Sequence, residues 1–147
     1  MSYTQIYYHL VWSTQNRVPA LGDGHRDNLF RYMTGILKNL NCHLYRIGGI
    51  ADHIHLLTSL NATLALADLI RELKIGSSKW VKSAGVFPVF EHWQEGCGAF
   101  TVSHTHRDAV IEYIKNQEAH HRKLTFAEEL QSMLAKAGIQ YESRFLQ

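Results

Sequence analysis

Two histidines one residue apart, in Asp52-His53-Ile54-His55-Leu56-Leu57, have the spacing in this chain best suited to metal chemistry. On a strand, residues two apart point to the same face, so His53 and His55 present neighbouring imidazoles while Ile54 turns into apolar packing on the other side. That geometry suits two cis ligands of a divalent ion. Polar rings in the middle of a strand are costly to bury without partners. On spacing alone, the pair reads equally well as two hydrogen-bonded histidines on a polar sheet face.

A second group lies on the helical pattern at 106–122. There Val110, Ile111 and Ile114 define the apolar arc, and Tyr113, Gln117 and His120 cluster at its edge. The i, i+4 spacing puts a phenol beside an amide oxygen that can ligate a metal or accept a hydrogen bond. Taken singly these residues are ordinary, since an edge tyrosine snorkels and an edge glutamine is solvated. A third group is Arg71, Lys74, Lys79, Trp80 and Lys82, with Gly76-Ser77-Ser78 among them. Positive charge beside an indole suits a phosphate backbone and an unstacked base. The plain alternative is a solvated basic helix face.

Other chemistries are excluded by what the sequence lacks. No GxxxxGK[ST] is present, so no P-loop nucleotide cofactor is expected, and neither G-x-S-x-G nor H-E-x-x-H occurs. Cys42 and Cys97 are the only cysteines, too few for a disulfide framework or a four-cysteine zinc site. Lys and Arg total 15 against 13 Asp and Glu, a net charge of +2 that permits nucleic-acid binding without demanding it. No apolar run approaches the roughly 18 residues of a membrane span, and MSYTQIYYHL lacks a signal-peptide core. A soluble cytoplasmic protein with no membrane partner is expected.

The elements that must position these groups follow from periodicity. Residues 5–13 alternate Ile6, Tyr8, Leu10 and Trp12 against Tyr7, His9 and Val11, a strand covered on both faces. Residues 24–40 carry a helical stripe of Leu29, Met33, Ile36, Leu37 and Leu40. Residues 42–50 and 53–59 read as strands joined by a tight turn near Gly48–Asp52. A helix from about Thr63 buries Leu66, Leu69, Ile70 and Leu73, and 99–103 reads as a fourth strand ahead of the 106–122 helix. The last helix opens with a capping box, Thr125 to Glu128, buries Phe126, Leu130, Met133, Leu134 and Ala137, and stops at Gly138. The order β-α-β-β-α-β predicts an α+β, ferredoxin-like split β-α-β fold. It is a four-stranded antiparallel sheet with helices on one face, plus appended C-terminal helices. One domain spans 1–147, with a core at about 5–122 and an appendage at about 125–147.

In this order and spacing, Tyr8-His9-Leu10-Val11-Trp12-Ser13-Thr14, the His53–His55 strand, Leu73-Lys74-Ile75-Gly76-Ser77-Ser78 and Tyr113-Ile114-Lys115-Asn116-Gln117 resemble a known family. They are similar to the single-tyrosine transposases of the HUH superfamily (histidine, hydrophobic, histidine), in the two-hundred/six-hundred-and-five group of bacterial insertion sequences. The resemblance covers most of 5–122 and implies the fold already read from periodicity. It also implies that His53, His55 and Gln117 hold Mg²⁺ or Mn²⁺, and that Tyr113 attacks a phosphodiester to leave a 5′-phosphotyrosine. The implied substrate is single-stranded DNA marked by hairpins at element ends, and the implied assembly is a homodimer. Backbone contacts are expected from 71–82 and from the histidine-rich 104–123.

Cys97-Gly98 departs from the family pattern, where an aromatic residue is usual before the fourth strand. His120 either replaces or supplements Gln117 as ligand, shuttles the tyrosine proton, or is simply solvated near a helix end, the last being favoured. Asp52 is read as shaping its turn, with orientation of a ligand histidine as the alternative. Competing functions are a host-recruited nuclease acting on dispersed repeats, a non-catalytic single-strand binder, and a metal-dependent phosphodiesterase.

Overall fold

The two alternating sets of side chains on the first strand do separate onto opposite faces of a sheet in the computed structural model, which describes residues 2–142. The strand β1 (Tyr7–Ser13) leads to helix α1 (Asp23–Asn39), strands β2 (Leu44–Gly49) and β3 (His53–Ser59), helix α2 (Leu66–Ala84) and strand β4 (Gly98–Val102). Helix α3 (Arg107–Lys115), the single turn α4 (Gln117–His120) and helix α5 (Phe126–Lys136) follow. All strand pairs are antiparallel in the order β2-β3-β1-β4, the split β-α-β arrangement that periodicity predicts. Among the described residues no helix is long and apolar enough to cross a membrane.

One sheet face carries Leu10, Trp12, Ile54 and Leu56 against Leu29, Met33 and Leu37 of α1 and Leu69, Leu73 and Val81 of α2. The opposite face carries Tyr7 and Leu57, which pack with Ile114, Val110 and Ile111 of α3. The appended helices therefore cover the second face, and His53 to Thr58 of β3 are all buried.

Three local readings change. The helix expected over 106–122 is interrupted at Asn116, whose φ −99° and ψ 24° separate α3 from α4. Asparagine competes poorly for helix, and the break lets the following turn tilt Gln117 into the protein, where it is 1% exposed. Helix α2 starts at Leu66 rather than Thr63, because Thr63 N–H is captured by the Asn61 side chain at 3.1 Å. In α5 the capping box forms and Gly138 takes a positive φ of 71°, but the buried residues are Phe126 and Glu129. Leu130, Met133 and Leu134 are only half-buried and Ala137 is exposed. The last five residues of the expected appendage lie outside the described residues.

Glycine is needed where α3 meets the sheet. A Cβ on Gly48, opposite His55 on β2, would sit 2.7 Å from the Ile114 carbonyl oxygen. On β4, a Cβ at Gly98 would meet Val11 Cγ1 of β1 at 2.7 Å. Gly48→Ala is expected to destabilise the fold by about 1–3 kcal/mol through overpacking. Gly35→Ala, on an exposed helical position with nothing within 4 Å, should instead stabilise by about 0.5–1 kcal/mol in urea unfolding.

Candidate metal centre and active site

β3 delivers His53 and His55, both 0% exposed, to the face covered by α3, α4 and α5. Each is fixed from behind through Nδ1. Asp52 Oδ1 lies 2.7 Å from His53 Nδ1, and His9 Nε2 lies 2.8 Å from His55 Nδ1. Asp52 therefore orients a candidate ligand as well as shaping its turn, where its carbonyl accepts from Thr14 N–H at 2.9 Å. With Nδ1 engaged on both rings, both Nε2 atoms point inward.

They point at Glu129, on the first turn of α5. Its Oε1 is 2.8 Å from His55 Nε2, 3.1 Å from His121 Nε2 and 3.3 Å from His53 Nε2. Its Oε2 accepts from Gln117 Nε2 at 3.0 Å and from the Tyr113 hydroxyl. Gln117 Oε1 faces His53 Nε2 at 3.0 Å. Tyr113, Gln117, His53 and His55 thus meet, as the sequence reading required, but through a carboxylate that reading did not single out. His120 stacks on Tyr113 with ring centroids 4.6 Å apart, and its buried Nε2 has no hydrogen-bond partner. Phe126 stacks on His53 at 4.5 Å and closes the roof.

Electrostatics follow from burial and from this one carboxylate. Burial opposes charge on His53, but Asp52 and Glu129 at its two nitrogens outweigh burial and raise its pKa from 6.5 to about 9. Burial, with His55 alongside, lowers His9 to about 3. Burial also draws His55 down despite Glu129. For Glu129, burial favours the neutral acid, yet hydrogen bonds from His121, His53 and His55 prevail and hold its pKa far below the usual carboxylate range. Burial and the adjoining carboxylate push the Tyr113 phenol well above its ordinary value of 10.

The donor set fits a divalent cation. Ligand atoms of His53, His55 and Glu129 all lie within 4.8 Å of one another, and Gln117 Oε1 adds a neutral oxygen beside them. Two imidazoles, a carboxylate and an amide form a mixed nitrogen–oxygen set of the kind such ions take.

The other residues singled out from sequence lie elsewhere. Arg71, Lys74, Lys79, Trp80 and Lys82 are on α2, which packs on the opposite sheet face. Arg71 pairs with Asp68 at 2.9 Å, and Trp80 stacks on Tyr32 at 5.7 Å. Lys74 donates to the carbonyls of Gln94 and Gly96 and lies over the Trp12 ring. Lys79 and Lys82 are exposed.

A ferredoxin-like sheet with a buried histidine–carboxylate centre facing a tyrosine helix defines an α+β protein with one candidate reactive face. A family model described as IS200-like transposase matches residues 2–117, and the chain belongs to that family. It is 26% identical over 120 residues to the ISDra2 transposase TnpA of Deinococcus radiodurans, covering 77% of this chain and 84% of that protein. A crystal structure of a Deinococcus radiodurans transposase matches with a TM-score of 0.64 at 26% identity, over 79% of this chain and 93% of that one. A tyrosine transposase associated with REP sequences, bound to a REP hairpin, shares the fold at a TM-score of 0.62 and 14% identity, over 82% of this chain and 72% of that one.

The protonation pattern sets a pH optimum for stability of the metal-free protein. His53, raised to about 9, contributes stability fully present below about pH 6.5 and lost as pH climbs through 9. His9, lowered to about 3, acts oppositely, so stability is lost as pH falls below about 6.5. Thermal midpoints in a chelator are expected to peak near pH 6.5, with the alkaline decline flattened in Asp52→Asn. A midpoint still rising toward pH 9 would contradict this assignment.

Proposed function

We propose that this transposase cuts and rejoins single-stranded DNA at hairpin-marked ends, with Tyr113 as nucleophile and a 5′-phosphotyrosine as intermediate. The observation that carries the reading is the meeting of Tyr113, Gln117, His53 and His55 around Glu129, in a chain of this family. A binding module has no use for a phenol held against a candidate metal centre. The hairpin in the related REP structure supports a hairpin-bearing substrate.

His53, His55 and Gln117 would hold Mg²⁺ or Mn²⁺, with Glu129 as an additional donor. Such an ion supplies positive charge that draws electron density from the scissile phosphate. The chain's own groups do the rest. Tyr113 Oη attacks phosphorus, the P–O bond to the departing strand breaks, and that strand leaves with a free 3′-hydroxyl. Glu129 Oε2 accepts the hydrogen bond of the phenol and so orients Tyr113 Oη, and the proton that Oη gives up on attack ends on the departing 3′ oxygen. The phosphodiester energy stays in the tyrosyl bond, so a 3′-hydroxyl of another strand can reverse the step without ATP. His9 and Asp52 keep both imidazoles aimed inward. Arg71, Lys74, Lys79, Trp80 and Lys82 are proposed as contacts to DNA away from the cut, and two chains pair so that two ends are exchanged.

Incubation with hairpin-bearing single-stranded DNA and Mn²⁺, then denaturing electrophoresis, is expected to show a protein–DNA adduct that vanishes in Tyr113→Phe. His53→Ala should abolish cleavage while hairpin binding persists. Cut DNA without an adduct would replace this reading with hydrolysis by water. Calorimetry with Mn²⁺ tests the support behind His55. His9→Phe should weaken binding about 10–100-fold, and His9→Gln, which keeps a polar partner, should lose less.

A further inference from the structure

Beside the buried centre, on the side of the β2 edge, lies an open cleft of about 540 Å³ bounded by α1, β2, the end of α3 and α4. That volume is within the range of about 300–1,000 Å³ usual for ligand sites. Nothing in the proposed chemistry uses it, although Gln117 lines it and reaches from there to His53.

The charge of its walls divides into a spent part and a free part. Arg26 is spent. It donates to the Leu21 and Gly49 carbonyls, pairs with Asp23 at 2.6 Å and lies 3.7 Å from Glu118, so it ties α1 to the sheet and offsets one of those two carboxylate charges. Arg46, Lys115 and Arg122 are free. All three are exposed and line the cleft, and none forms an ion pair among the described residues. Against them stand Asp27 and the one carboxylate charge that Arg26 leaves unbalanced, so the lining carries four cations and three carboxylates. Gly48 and Gly49 line the floor, and a wall includes the half-buried ring of Phe30.

Three unpaired cations spread over a strand, a helix end and the segment after α4 suit an extended polyanion better than a single phosphate. An aromatic ring beside a basic track is the pairing that unpaired nucleotides recognise, phosphates on the cations and a base against the ring. Gln117 joins that track to the candidate centre.

We propose that this cleft holds the unpaired DNA strand adjoining the phosphate that Tyr113 attacks, with Arg46, Lys115 and Arg122 contacting its backbone. The inference deepens the proposed function and rests on it for the strand's direction toward Tyr113, but the binding itself can be measured separately.

The test is fluorescence anisotropy with labelled oligothymidylate of fifteen nucleotides, and with a fully paired hairpin lacking a tail, over a range of salt. In Arg46→Gln/Lys115→Gln/Arg122→Gln the affinity for oligothymidylate should fall at least tenfold. The slope of log affinity against log salt should shrink by about 2, at roughly 0.7 per lost single-strand phosphate contact. Affinity for the hairpin should hold. If the triple variant does not fold, each single variant should shrink the slope by about 0.7. Failure of the wild type to bind oligothymidylate, an unchanged slope, or equal weakening toward both probes would overturn the proposal. The adduct assay keeps the two readings apart. No adduct with a functioning cleft sinks the chemistry alone, and an adduct with an unchanged slope sinks the cleft alone.

Discussion

A single buried carboxylate organises the reactive face. Glu129 is 3% exposed and meets three imidazoles, an amide and a phenol. A charge in that position is tolerated only when paired and hydrogen-bonded on every side. The constraint acts in both directions. Each polar ring on the sheet face would itself be a burial penalty without the carboxylate, and the carboxylate could not be buried without them. With its pKa raised, His53 offers it a protonated partner. A divalent ion held by the same donors would meet that charge in its place.

The sheet makes that convergence possible by division of labour. Leu10, Trp12, Ile54 and Leu56 give their side of β1 and β3 to a conventional core under α1 and α2, so the other side is free to carry His9, His53 and His55. Those two strands are central in the order β2-β3-β1-β4, which places the histidines at the middle of the sheet. Gly48 on the neighbouring strand lets the end of α3 come close enough for Tyr113, and after the break Gln117, to reach them.

Much of this was legible in the sequence. Strict alternation on β1, the His-x-His strand and the helical stripes give the fold, because each reports burial on a known period. Tyr113 and Gln117 were legible only jointly with the histidines. Glu129 was not. It follows Glu128 in a capping box, and a first-turn glutamate on a helix is ordinarily satisfied by the N-terminal dipole and water. Glu128 does cap, donating nothing and accepting from Thr125 N–H at 3.1 Å, while its neighbour is rotated about 100° around the helix axis and turned inward. Only the tertiary placement of α5 distinguishes the two. His9 was hidden in the same way, as one member of an alternating strand. The interruption at Asn116 escaped periodicity because Ile114 and Gln117 both remain on the inner side across it.

The roof over the histidines belongs to a different stretch of chain from the floor. The family match ends at residue 117, while Phe126 and Glu129 come from a peripheral helix beyond it. Phe126 seals the histidines from solvent and Glu129 reaches them from the same helix, so the docking of α5 on the sheet sets both how open the centre is and whether its carboxylate is in place.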